Sequence, residues 1–165
     1  MDFSSSIQTR LKKLSDMYKD KGGGFPLSIK LGVYSGCFHR EHSPRAYKLI
    51  DDFLDSSDRD EFIFEEHESG PEILVWVAAI SSIISISANI INLITAIIKS
   101  RNVGIKMGDR PQSLVELNLR YLDKEGNLRN ETILKINASE NIINESVKLL
   151  LEQSLQQILQ EYDKE

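Results

Sequence analysis

Cys37, His39 and His42 fall within six residues of one another in the segment CFHREH, and His67 is the only other histidine. A thiolate and imidazoles are the donors from which tetrahedral zinc sites are built. The spacing matches no recognised ligand pattern, however, and Cys37 is the single cysteine. The segment therefore reads as a polar loop between a strand and a helix, with no metal and no cofactor assigned. Cys37 and His39 would share one face of an extended strand, but nucleophilic catalysis also needs a fixed imidazole and an oxyanion hole. The glycines of GGGF and VYSG lack the GxxxxGK[ST] or GxGxxG spacing of a phosphate loop. From Asp51 to Glu72 there are ten acidic residues against one arginine. That run has no Asp/Asn ladder with a loop glycine for calcium, and reads as a solvated face or a docking surface for a basic partner. No catalytic residue is assigned, and the expectation is a protein that is not an enzyme.

The elements that would position any such groups are organised around Pro71–Ser100, PEILVWVAAISSIISISANIINLITAIIKS, which is uncharged from Ile73 to Ile98. Read as one helix over about 72–100, it has a wide isoleucine arc and a narrow seam. Ser81, Ser85, Asn89 and Asn92 lie on that seam at i, i+4, i+8 and i+11. These four, with Trp76 as an aromatic anchor at the helix start, are the candidate interface residues. Such a helix fits burial beneath a sheet and neighbouring helices. The alternative is a bilayer helix over 72–98, since small residues with Ser and Asn also line contacts in lipid. The flanking charges, acidic before and basic after, would then orient its C-terminal side to the cytoplasm.

At 165 residues and a formal charge of −5, the chain is large enough for one core and lacks the clustered Lys and Arg of a nucleic-acid surface. The start MDFSSSIQTRLKKL has no signal-peptide pattern, and a lone cysteine fits a reducing compartment. The expected localisation is cytoplasmic, with membrane association as the alternative.

In chain order, Ile7, Leu11, Leu14 and Tyr18 predict an amphipathic helix, broken by Gly22–Gly24. Residues 1–24 thus form an N-terminal helical arm with a glycine linker, and 25–165 a single domain. Leu27–Tyr34 alternates as a strand. Ser43-Pro44 starts a helix, Ser43 as N-cap, that ends near Ser56. Glu61–Glu66 is a short strand, and Val103, Ile105 and Met107 alternate as another. Val115–Tyr121 and a strand through Ile133, Leu134 and Ile136 flank the turn Asp123–Asn127. A last helix starts near Asn137–Ser139, with Asn137 and Glu140 at capping-box spacing. It carries Ile143, Val147, Leu150, Leu151, Leu155, Ile158, Leu159 and Tyr162 on one side. The expected fold is α+β: a small mixed or antiparallel sheet packed against a long central hydrophobic helix and a C-terminal amphipathic helix.

This order resembles the effector-associated constant components, small bacterial domains found beside conflict and defence systems. The resemblance lies in strand Leu27–Tyr34, the helix segment Ala46–Leu54, the junction Gly70–Glu72 and the basic end Ile97–Arg101. It continues through the turn Asp123–Asn127, the strand end Leu134–Ala138 and the last helix. It covers about Leu27–Leu155. The chain differs in its isoleucine and serine content where the family favours glycine and alanine, and in the extra segment Gly108–Ser113. The resemblance implies a non-catalytic module coupling a sensor or NTPase component to an effector, through protein contacts or self-association. It transfers no catalytic residues. Protein partners and a homo-oligomer are therefore expected, with no nucleic acid. The alternative function is a membrane-associated effector whose 72–98 helix inserts.

Overall fold

The alternation of Phe25, Leu27, Ile29, Leu31 and Val33 belongs to β1 (Gly24–Val33), the middle strand of a five-stranded antiparallel sheet. In this computed structural model, residues 3–18, 24–33, 37–57, 62–78, 88–110, 114–136 and 144–163 are described. The other strands are β2 (Ile63–Glu65), β3 (Glu72–Ala78), β4 (Val115–Leu122) and β5 (Leu128–Ile136), in the order β2-β3-β1-β4-β5. Four helices, α1 (Phe3–Tyr18), α2 (Pro44–Asp55), α3 (Ala88–Lys106) and α4 (Asn144–Asp163), complete the α+β fold.

Because side chains alternate along a strand, register sorts every residue to one face. Leu27 pairs with Val75, and Ile29 with Ile73 and Leu119, while Leu31 pairs with Leu117. These residues form one buried cluster with Tyr47 and Ile50 of α2, Ile90, Ile94 and Ile97 of α3, and Val147, Leu151 and Leu155 of α4. On the opposite face Ile7, Leu11 and Leu14 of α1 bury themselves against Leu74, with Tyr18, Leu122 and Leu128 packed beside them. The amphipathic stripe of α1 is thus spent on the sheet.

The expected central helix over 72–100 is corrected in its first part. Glu72–Ala78 is strand β3, paired with β1 on one side and β2 on the other. Both faces of β3 are covered, by the main core and by α1. A strand buried on both sides becomes a continuous apolar run with no period to betray it. The helical part begins at Ala88, after residues 79–87, which lie outside the described residues. The membrane-inserting helix over 72–98 is corrected with it. Among the described residues no helix is long and apolar enough to cross a membrane.

The strand expected at Val103, Ile105 and Met107 is also corrected, since α3 continues to Lys106. Buried positions Ile90, Ile94, Ile97, Arg101 and Gly104 keep helical spacing, while Val103 and Met107 are exposed. Gly104 is where α3 meets the start of α2. A Cβ there would lie 2.2 Å from Asp109 Oδ2 and 2.9 Å from the Ala46 nitrogen. That proximity lets Asp109 cap α2 from 63 residues away, accepting from the Arg45 N–H at 3.1 Å and the Ala46 N–H at 2.9 Å. Ser43, the expected N-cap, makes no side-chain capping bond. The Asn137–Glu140 cap lies outside the described residues, as does Ile143.

Candidate functional site

The side of the sheet under α1 carries charge where a core would carry carbon. Ser28 and Lys30 of β1, Glu72 of β3, and Glu116 and Arg120 of β4 are all buried. Glu72 is fully buried and accepts from Arg120 Nη2, from the Ser28 hydroxyl and from Arg10 Nη1 of α1. Arg120 also donates to Ser28 Oγ through Nε and Nη2, at 3.3 and 3.2 Å. Burial alone would push the Glu72 carboxyl up, but Arg120, the Ser28 hydroxyl, Arg10 and His67 together hold it below the usual range. A carboxylate taken out of water is tolerable on these terms only.

Lys30 has a different solution. Its ammonium donates to the Gly70 carbonyl. Burial, aided by Arg120 and Arg10 and opposed by Glu72, lowers its pKa to about 7. Gly70 takes φ of +128°, and a Cβ there would lie 1.9 Å from the Leu31 carbonyl oxygen. Glycine therefore permits the close approach that brings its carbonyl to Lys30.

Glu65, His67 and Glu72 offer metal-ligating atoms within 4.8 Å of one another. Arg10 Nη1 bonds to both carboxylates and lies 3.1 Å from His67 Nε2, so a guanidinium already supplies the positive charge there. The same bonds fasten α1 to the sheet.

Beyond α1 this face opens into a depression of about 300 Å³ lined by Lys30, Gly32, Ser69, Glu116, Asn118, Arg120, Asn130 and Thr132. Thr132 Oγ1 donates to Asn118 Oδ1 at 2.6 Å. Glu116 Oε1 is buried without a hydrogen-bond partner, with Lys135 Nζ 3.7 Å away. A second depression, of about 480 Å³, lies between β5 and α4, lined by Glu131, Thr132, Ile133, Leu150, Gln153, Ser154 and Gln157. β5 ends the sheet, so one main-chain edge of this nine-residue strand has no neighbouring strand among the described residues. Thr132 borders both depressions.

The candidate residues from the sequence are distributed differently from their expected stripe. Trp76 lies on β3, half-buried, its ring stacked on Tyr18 of α1 at 5.5 Å and 9°. One side of the ring is thus used within the same chain. Asn89 is half-buried and Asn92 exposed on the first turns of α3, while Ser81 and Ser85 lie outside the described residues. The acidic run is partly consumed internally. Asp51 and Glu66 clasp Arg40, with Nη2 at 2.5 Å from Asp51 and 2.6 Å from Glu66, and Glu65 and Glu72 hold Arg10. Cys37, His39 and His42 do converge, with one donor atom from each within 4.8 Å of the others.

Arg10, Lys30, Arg120 and Asp109 are the residues that sequence reasoning missed. Lys30 and Arg120 sit at alternate positions of period-two strands, where a charge ordinarily means solvent. Only the presence of α1 above the sheet gives them another meaning. Comparison with family profiles, with curated proteins and with solved structures finds no match to this chain.

Proposed function

We propose that this protein is a non-catalytic interaction module that receives an extended segment of a protein partner, added to the sheet beside β5. The observation that carries this function is the β5 edge, which has no neighbouring strand among the described residues, is bordered by a depression on either side and shares Thr132 with both. An added strand takes its affinity from main-chain hydrogen bonds and its specificity from pockets that receive alternate side chains. Here one set of side chains would meet Leu150, Gln153 and Gln157 of α4, and the other Asn130 and Thr132 at the rim of the polar depression. The charges of Arg129, Glu131 and Lys135, with the bulge opposite Leu117 and Asn118, oppose indiscriminate pairing. They would favour a segment of matching charge.

The resemblance to effector-associated constant components suggests the setting: coupling of a sensor to an effector in a bacterial conflict system, with the cytoplasm as compartment. A second copy of the chain is the simplest alternative source of the segment, which would make the module self-associating.

The test is selection of extended peptides from a random display library on the immobilised full chain, followed by NMR with labelled protein. Binders are expected to shift the amides of 129–135 and to lose affinity in Gln153→Arg and Gln157→Arg. Light scattering identifies self-association by the same edge. Recovery of no binder from a protein that stays monomeric would sink the proposal, as would binders that map to α2 and α3.

A further inference from the structure

We propose that Cys37, His39 and His42 form a binding site for a borderline-soft divalent cation of the zinc class, held by the loop between β1 and α2. This site is independent of the β5 edge. One donor atom from each residue lies within 4.8 Å of the other two. In a tetrahedral site with metal–ligand bonds of about 2.0–2.3 Å, donors stand roughly 3.5 Å apart. Side-chain torsions would have to close that difference.

The loop is built to hold its shape. Phe38 is fully buried, its N–H bonds to the Glu68 carbonyl at 2.9 Å, and its carbonyl accepts from the Tyr47 hydroxyl at 2.9 Å. The His39 carbonyl accepts the His42 and Ser43 N–H groups at 3.1 and 2.8 Å, closing a turn that faces the two imidazoles toward each other at 5.0 Å. The Arg110 N–H bonds to the His42 carbonyl at 3.2 Å, tying the turn to the segment that follows α3. Donors held this way lose little further freedom on binding.

The two imidazoles differ in what they would give up. His42 Nδ1 is buried with no hydrogen-bond partner, a cost that a ligated cation removes. His39 Nδ1 accepts the Glu41 N–H at 3.0 Å. Ligation there exchanges that bond for a metal bond and leaves Nε2–H facing the Glu41 carboxylate, 3.8 Å away. A carboxylate behind a ligating imidazole is the usual outer partner in zinc sites.

The thiol is pushed above its ordinary pKa by burial and by Glu68 and Glu41, with Arg110 opposing them. Binding therefore releases a proton from Cys37 to solvent as the sulfur–metal bond forms. The same two carboxylates favour a cation at this point. Three protein donors leave a fourth position open for water or for a group from a partner.

The experiment strips the full chain with a chelator and titrates it with Zn²⁺ and, separately, Co²⁺. Expected are about one equivalent retained after dialysis and a thiolate-to-cobalt charge-transfer band in the near ultraviolet, the mark of a tetrahedral Cys-containing site. The band should vanish in Cys37→Ser, weaken in His42→Ala and persist in His67→Ala. The unsubstituted protein reports sulfur ligation by itself, so a variant that fails to fold does not obscure the result. A folded protein that retains no stoichiometric metal, or a cobalt complex without the sulfur band, overturns the site.

Discussion

One face of the sheet presents Leu27, Ile29, Leu31, Ile73, Val75, Leu117 and Leu119 to three helices. The other presents Ser28, Lys30, Glu72, Glu116 and Arg120 to one helix and an open depression. Both sets are buried, and in both the residues alternate along the same three strands. The free energies differ in kind. The first face gains by removing carbon from water, without direction and without dependence on pH. On the second, apart from the apolar contacts of α1 with Leu74, the charged set gains nothing until its members are paired. A sheet with this division can lose its polar half without dissolving its apolar core. The polar half is therefore where a partner's contacts or a change in pH can act.

The largest effect should follow from Glu72→Ala, which leaves Arg120 and Arg10 facing each other under α1. Breaking a buried ionic set from one side costs about 3–5 kcal/mol, read as a fall in the denaturation midpoint. Replacing the set at once, Arg10→Met, Glu72→Met and Arg120→Leu, should restore most of that loss. If the triple variant is as unstable as the single, the face is not governed by unpaired charge and the contrast fails. Leu117→Ala on the opposite face should cost about 2–5 kcal/mol through the cavity it leaves. That loss should be the same at neutral pH and in acid below the usual carboxylate range, where the loss from Glu72→Ala should shrink as the carboxyl protonates.

Lys30 sharpens the contrast further. Its pKa falls from 10.5 to about 7, so across that window the unfolded chain holds a proton that the folded chain does not. Stability must then rise with pH, by at most about 1.4 kcal/mol per pH unit. Lys30→Met should flatten the profile between those values and be the more stable protein below pH 7. Glu72 contributes with the same sign, in a lower pH window. Its depressed pKa stabilises the fold above the ordinary carboxylate range and is lost as acid protonates it. A wild-type profile already flat from pH 7 to 10 would remove Lys30 from this account.

The apolar face was the more legible in the sequence, because alternation in Val115–Tyr121 and in Leu27–Tyr34 is a direct record of which side faces carbon. The hairpin turn was equally plain: Asp123 Oδ1 accepts from the Asn127 N–H at 2.8 Å, as an Asp-led turn predicts. Glu72–Ala78 failed for the reason that makes it stable. Buried on both sides, it shows no alternation, and its isoleucines and valines merged with those of α3. The polar face was illegible because its meaning is not local. Glu72, Arg10 and Arg120 are far apart in the chain, and each taken alone resembles a solvated residue. Cys37, His39 and His42 were visible as donors, but their convergence depends on the turn that Phe38 and Tyr47 hold.

The smallest expected effect lies in the helical layer, at a polar stitch between α2 and the segment after α3. Asp109, only 6% exposed, accepts from two N–H groups at the start of α2. The segment around it looked like an insertion, and the cap was expected at Ser43, the residue next to the helix. Removing a capping side chain costs about 0.5–2 kcal/mol, so Asp109→Ala should lower the denaturation midpoint slightly and fray the first turn of α2. Hydrogen exchange should then speed at Arg45 and Ala46 while the amides of β1 and β4 stay protected. Asp109→Asn keeps an acceptor oxygen and should recover most of the loss, which separates the hydrogen bond from the charge. If Ser43→Ala instead produced the fraying, and Asp109→Ala none, the cap would be local after all. The tight approach of Gly104 to α2 would then need another explanation, because a Cβ there would meet that carboxylate at 2.2 Å and the Ala46 nitrogen and Cβ at 2.9 and 3.0 Å.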